Sequence, residues 1–129
     1  MAVNLDHTIV HVKDVKKSIH FYCDILGFKH RPDLSKIFAV VQVNENLGLD
    51  LLAADSVESR HLAFCMDRGT FDSIFARLKT AGIAYGDDYK TPHNMTGPGQ
   101  APGTRGMADT VYFHDPNGHL LEIRHYPGD

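Results

Sequence analysis

A strand opening on a histidine, a helix-like stretch and a strand pair ending on a carboxylate occur twice along these 129 residues. The first copy begins Leu5-Asp6-His7-Thr8-Ile9-Val10-His11-Val12 and ends Leu49-Asp50-Leu51-Leu52. The second begins Arg60-His61-Leu62-Ala63-Phe64 and ends Leu121-Glu122-Ile123. Such a repeat decides the fold before any single element does, because one copy cannot bury its hydrophobic face alone.

Within the first copy, Leu5 to Val12 alternates as a strand, with Thr8, Val10 and Val12 on one face and His7, Ile9 and His11 on the other. Asp14 is placed to cap a helix whose apolar stripe is Val15, Ile19, Tyr22, Ile25 and Leu26, and Gly27 supplies its left-handed stop. Ile37 to Val43 and Leu47 to Ala53 read as strands joined by Asn44-Glu45-Asn46. In the second copy Arg60 to Met66 reads as a strand. Thr70 is expected to cap a helix carrying Phe71, Ile74, Phe75 and Leu78, closed by Gly82. Thr110 to Phe113 and His119 to Tyr126 flank the turn Asp115-Pro116-Asn117-Gly118.

His61 follows His7 by 54 residues (61 − 7), whereas Glu122 follows Asp50 by 72 (122 − 50). The 18-residue excess falls at Lys90 to Gly106, rich in Pro and Gly. The expected architecture is α+β: one domain over 1–129, with module one about 1–54 and module two about 55–129 carrying an inserted loop at 90–106. Each βαβββ module has a curved sheet with a helix outside and an open inner face. Pairing closes the two inner faces into a cup-shaped open barrel, within one chain or by module exchange across a dimer; both satisfy the same packing.

Two His at equivalent strand positions and a carboxylate in the last strand make His7, His61 and Glu122 the candidate metal ligands. That set suits Fe(II) first, and Mn, Zn or Ni as well. Glu122 lies between Leu121 and Ile123 in an apolar strand, and a buried carboxylate needs a partner such as a metal. His11 shares the face of His7 and reads as a buried, hydrogen-bonded histidine or as a base lining the cup; Arg124 shares the face of Glu122 and reads as the cap of a strand end or as a group that orients an acidic or phenolate substrate. His114 and His119 read as solvated turn residues, and loop 90–106 as a lid over the cup mouth or a surface insertion.

Composition narrows the function classes. Hydrophobic residues at 43% and charged residues at 22% are ordinary for a globular domain. A net charge of −3 with no basic face argues against nucleic acid. No apolar run approaches the ~20 residues of a membrane span, and no signal peptide precedes Leu5, so a cytoplasmic protein is expected. Nine histidines are many for this length and raise the expectation of metal or proton chemistry. Cys23 and Cys65 form no CxxC and read as reduced, buried packing residues, with a disulfide between them left open.

His7 on the first strand, Leu26-Gly27-Phe28, His61, and the run Tyr112-Phe113-His114-Asp115-Pro116-Asn117-Gly118-His119-Leu120-Leu121-Glu122 together resemble the vicinal oxygen chelate superfamily. This superfamily includes glyoxalase I, bleomycin and fosfomycin resistance proteins and extradiol dioxygenases. The resemblance covers nearly the whole chain. It implies paired βαβββ modules, one divalent metal ion, substrates that chelate it through neighbouring oxygens, and a homodimer. Phe38 to Asn44, Phe71 to Arg77 and the Gly/Pro-rich loop look most like single-domain dioxygenases of aromatic polyketide tailoring, of the chartreusin-pathway type.

That likeness implies dioxygenase-type oxidation of an aromatic substrate by O2. Tyr112 stands ten residues before Glu122, with Pro116 and Gly118 between, as in the extradiol enzymes, and is the catalytic candidate for proton transfer. The catalytic His those enzymes carry late in module one has no counterpart here. A glyoxalase-like lyase or isomerase is the alternative; it needs a fourth ligand, for which Asp50 stands in place, one methylene shorter than the usual Glu, or else serves beside the ligands. A third reading is metal-free sequestration of an antibiotic, as in bleomycin resistance proteins. Fosfomycin chemistry lacks a basic cluster for a phosphonate.

Overall fold

In a computed structural model, which describes residues 2–129, the chain forms two compact units, the first ending at Glu58 and the second running Ser59–Asp129. The fold class is α+β: each unit has a mixed, open sheet with one helix packed against it. No helix among the described residues is long and apolar enough to cross a membrane.

The first unit contains β1 (His7–Val12), α1 (Val15–Asp24), β2 (Lys29–His30), β3 (Ala39–Gln42) and β4 (Gly48–Ala53), with sheet order β1-β4-β3-β2. Asp14 caps α1, its side chain accepting from Lys17 N at 3.0 Å. Gly27 adopts φ 77°, and the bonds Gly27 N to Cys23 O and Phe28 N to Tyr22 O close the helix. Val10, Val12, Val41, Leu49 and Leu51 are buried with Tyr22, Ile25 and Leu26. The opposite strand face carries His7, Ile9 and His11, which are exposed. The expected alternation of β1 is therefore observed.

The second unit contains β5 (His61–Cys65), α2 (Arg68–Thr80), β6 (Tyr85–Gly86), β7 (Gly99–Gly103), β8 (Gly106–His114) and β9 (Leu120–His125). Its sheet runs β5-β9-β8-β6, with β7 also paired to β8. Phe71, Ile74, Phe75 and Leu78 bury one face of α2, and Val111, Phe113, Leu121 and Ile123 complete that core.

Several expectations are corrected here. The cap of α2 is Asp67, whose carboxylate accepts from Thr70 N at 2.7 Å; Thr70 lies inside the first turn. Asp67 holds the helix start because its carboxylate accepts from a first-turn backbone N–H that has no intrahelical partner. The two-residue strands β2 and β6 fall in stretches with no alternating pattern. The insertion at 90–106 is partly sheet: β7 pairs with β8 from Gly99↔Thr110 to Gly103↔Gly106, and β8 starts at Gly106 instead of Thr110. Two glycines, Gly86 in β6 and Gly99 in β7, serve close backbone approach. A Cβ on Gly86 would collide with the Thr91 carbonyl oxygen, and one on Gly99 with that of Asp87. Cys65 is exposed, not a packing residue, and both cysteines are free thiols.

Candidate functional site

The concave face of each sheet follows from strand register, since alternate residues share a face. In the first unit His7, Gly48 and Gln42 stand side by side across β1, β4 and β3, with Ile9, Asp50 and Val40 in the next row. In the second unit His61, Leu120 and His114 form the corresponding row, followed by Ala63, Glu122 and Tyr112. The two registers make His7 equivalent to His61, and Asp50 equivalent to Glu122.

His61 is aimed by its surroundings. The preceding Arg60 N donates to His119 Nδ1 at 3.0 Å, and Leu120 N donates to Arg60 O. His119 is completely buried, in contrast to the solvated turn residue expected. Asp115 accounts for this burial: its carboxylate accepts from the backbone N–H of Asn117 at 2.8 Å and of His119 at 2.9 Å, folding the turn back on itself. The turn motif thus anchors the start of β5.

The His61 ring then donates from Nδ1 to the Leu120 carbonyl at 2.9 Å, because a carbonyl can only accept. Its Nε2 faces Glu122 Oε1 at 3.1 Å. A nitrogen and a carboxylate oxygen so placed require a cation between them, either a proton on the ring or a metal ion. Two ligands at ~2.1 Å from one ion, at right angles, stand about 3 Å apart, so this pair fits a divalent metal. The bond from Nδ1 to a backbone carbonyl is the outer support that metal-binding histidines usually carry.

Glu122 is 3% exposed and Arg124 6%. The second oxygen of Glu122, Oε2, accepts from Arg124 Nη1. Arg124 Nη2 donates to the carbonyl of Ala101 at 3.1 Å, and its guanidinium lies 5.0 Å from the Tyr126 ring centre. Its Nε has no partner among the described residues. Strand β7 passes so close that a Cβ on Gly103 would collide with Arg124 Nη2. Arg124 therefore neither caps a strand end nor faces open solvent; it holds Glu122.

Tyr112 pairs across the strands with Glu122, and its ring stacks on His61 at 6.3 Å. Burial first, and then the neighbouring Glu122 carboxylate, pushes its phenol above the ordinary value. It is a neutral donor throughout the physiological range. Beside it, His114 Nδ1 and His93 Nε2 are 2.8 Å apart. Burial, then the His93 charge, lowers the His114 imidazole. This pair escaped the sequence reading because His93 reaches it from the insertion.

In the first unit His7 Nδ1 is 2.6 Å from Asp6 Oδ2, leaving Nε2 available. The Asp6 hydrogen bond first, and the Asp50 charge next, holds the imidazole above its ordinary value. Asp50 and His7 line one concavity of about 400 Å3. His11 lies further along the same face of β1. His61, Glu122 and Arg124 line another of about 440 Å3 in the second unit. Among the described residues no group of three or more His, Cys, Asp or Glu forms a ready-made metal cage.

Solved structures share this fold over nearly all of their length. "Oxidase ChaP-H2" is 36% identical, with a TM-score of 0.82 over 98% of this chain and 96% of that one. "Oxidase ChaP-H1" is 36% identical, with a TM-score of 0.81 over 99% and 100%. A curated relative, "Virulence protein STM3117" of Salmonella typhimurium, is 26% identical over 95% of this chain and 83% of its own. The model of the glyoxalase/bleomycin resistance protein/dioxygenase superfamily matches residues 4–123, and the chain belongs to that superfamily.

Proposed function

We propose that the chain is a mononuclear, metal-dependent oxidase of the dioxygenase type, acting on an aromatic substrate with vicinal oxygens. The observation that carries this is the His61–Glu122 pair, two donor atoms 3.1 Å apart on a concave face, with the ring already anchored through Nδ1. Relatives 36% identical and called oxidases favour oxidation over the other chemistries of the superfamily.

The ligand set that the sequence and the family resemblance imply, His7, His61 and Glu122, would hold the ion, Fe(II) by the character of the set, with Mn, Zn and Ni also compatible. When bound, such an ion supplies a Lewis acid and an O2-reactive centre. The residues of the chain do the rest. The Leu120 carbonyl and Asp6 orient the two imidazoles. Arg124 binds the far oxygen of Glu122 and turns the near one outward. Tyr112, kept protonated, donates to a substrate oxygen and can pass its proton there. The proposed assembly is a cytoplasmic homodimer.

A second reading has a specific observation behind it. Asp50 occupies the register position of Glu122 and lies near His7, so a fourth donor and glyoxalase-like isomerisation are chemically open. One experiment separates the two. The Fe(II)-loaded chain is given 2,3-dihydroxynaphthalene and, separately, the glutathione hemithioacetal of methylglyoxal, while an electrode follows O2. Uptake matching loss of the diol is expected. Isomerisation of the hemithioacetal without O2 uptake would establish the second reading. Ligand binding with neither reaction, unchanged in His7→Ala, would favour a sequestering protein.

A further inference from the structure

Gln42 stands in the same row as His7, separated from it by Gly48. Nothing in the backbone demands a glycine at that point. A Cβ there would meet only Val40 Cγ1 at 3.5 Å and Asp50 Oδ1 at 4.0 Å, both ordinary contacts. Gly48 instead leaves a floor without a side chain between His7 and Gln42. Two strand spacings separate those residues, roughly 9 to 10 Å, the length scale of a fused two- or three-ring system. Leu34, Phe38 and Val40 add apolar wall to the same concavity.

The Gln42 amide is oriented by an ion pair. Arg31 Nε and Nη2 donate to Asp33 Oδ1 and Oδ2 at 3.0 and 2.8 Å, and Arg31 N donates to Val40 O at 2.8 Å. The arginine so fixed donates from Nη1 to Gln42 Oε1 at 2.6 Å. A guanidinium has donors only, so the atom facing it must be the amide oxygen, and the NH2 group is turned the other way. That NH2 has no hydrogen-bond partner among the described residues, on a side chain that lines the concavity.

We propose that Gln42 determines substrate specificity. Its amide NH2, aimed by the Arg31–Asp33 pair, donates to a carbonyl oxygen lying one ring beyond the vicinal oxygens of a fused aromatic substrate, which makes the substrate class a hydroxyquinone. The inference rests on the function proposed above, which places the vicinal oxygens near His7. A donor fixed in advance loses little side-chain entropy on binding and rejects an analogue without the acceptor.

The test is calorimetric binding to the Fe(II)-loaded chain under argon, with two probes. Alizarin carries a vicinal diol and quinone carbonyls on the adjoining ring; 2,3-dihydroxynaphthalene carries the diol alone. Gln42→Leu removes the donor. Gln42→Glu keeps an acceptor for Arg31 and presents an oxygen where the NH2 stood. Both variants are expected to bind alizarin about five- to tenfold more weakly, the worth of one neutral hydrogen bond, and to bind the diol as the parent does. Equal losses for both probes, or no loss for either, would overturn the role of Gln42 and leave the proposed function standing. A parent chain that keeps its metal and binds neither probe would overturn the proposed function and this assignment with it.

Discussion

Arg124→Leu is expected to destabilise the metal-free chain by about 3 to 5 kcal/mol, the usual cost of removing one partner from a buried ion pair. The Glu122 carboxylate is 3% exposed and lies in a strand whose neighbours Leu121 and Ile123 are fully buried. Without the guanidinium its Oε2 loses a charged hydrogen-bond partner, and the carboxylate charge stays out of water. The guanidinium also ties β7 to β9 through the Ala101 carbonyl, so the sheet edge loosens as well. Replacing both residues, Glu122→Leu with Arg124→Leu, removes the orphaned charge and is expected to recover part of the loss, because a packed apolar pair often matches a buried ion pair. Urea unfolding of the parent, both single variants and the double variant measures the coupling. Additive losses would mean that the two side chains do not support one another.

Tyr112→Phe is expected to lower kcat/KM by about 100-fold or more, the ordinary contribution of a positioned proton donor, with metal content unchanged. The ring remains to stack on His61 and fill the core, so folding stability is expected to fall by only about 1 kcal/mol. The direction of the phenol shift sets the pH behaviour. A group raised from 10.0 keeps its proton further into the alkaline range than a free tyrosine does. Any decline in kcat/KM caused by ionisation of Tyr112 therefore sets in at higher pH than a free tyrosine would give, and through the neutral range the variant profile should be parallel to that of the parent and lower. Rate assays on diol oxidation across that range decide it; a variant as fast as the parent would reduce Tyr112 to a packing residue.

The repeat was the legible part of this chain, and with it the equivalence of His7 with His61 and of Asp50 with Glu122. Strand alternation survives into the structure because one face of each sheet is buried under its helix, and a slip by one residue would reverse every side chain. Hence the two-residue spacing from His to the carboxylate row is the same in both units.

Long-range contacts were not legible. Gly99, Pro102 and Gly103 look like loop residues by composition, yet they form β7, since glycine also suits a strand that another backbone approaches closely. The burial of Arg124 depends on that strand and could not be read without it. His119 looked solvated because it follows a turn; its side chain lies inward only because Asp115 folds the turn under it. His93 and His114 are 21 residues apart, and no periodicity links them.

The most direct test is the metal content of the chain purified anaerobically, beside His61→Ala. One equivalent of Fe or Mn per chain, lost in the variant, is the expected result. No metal in either protein, even after reconstitution with Fe(II), Mn(II) and Zn(II), would contradict the metal-dependent oxidase.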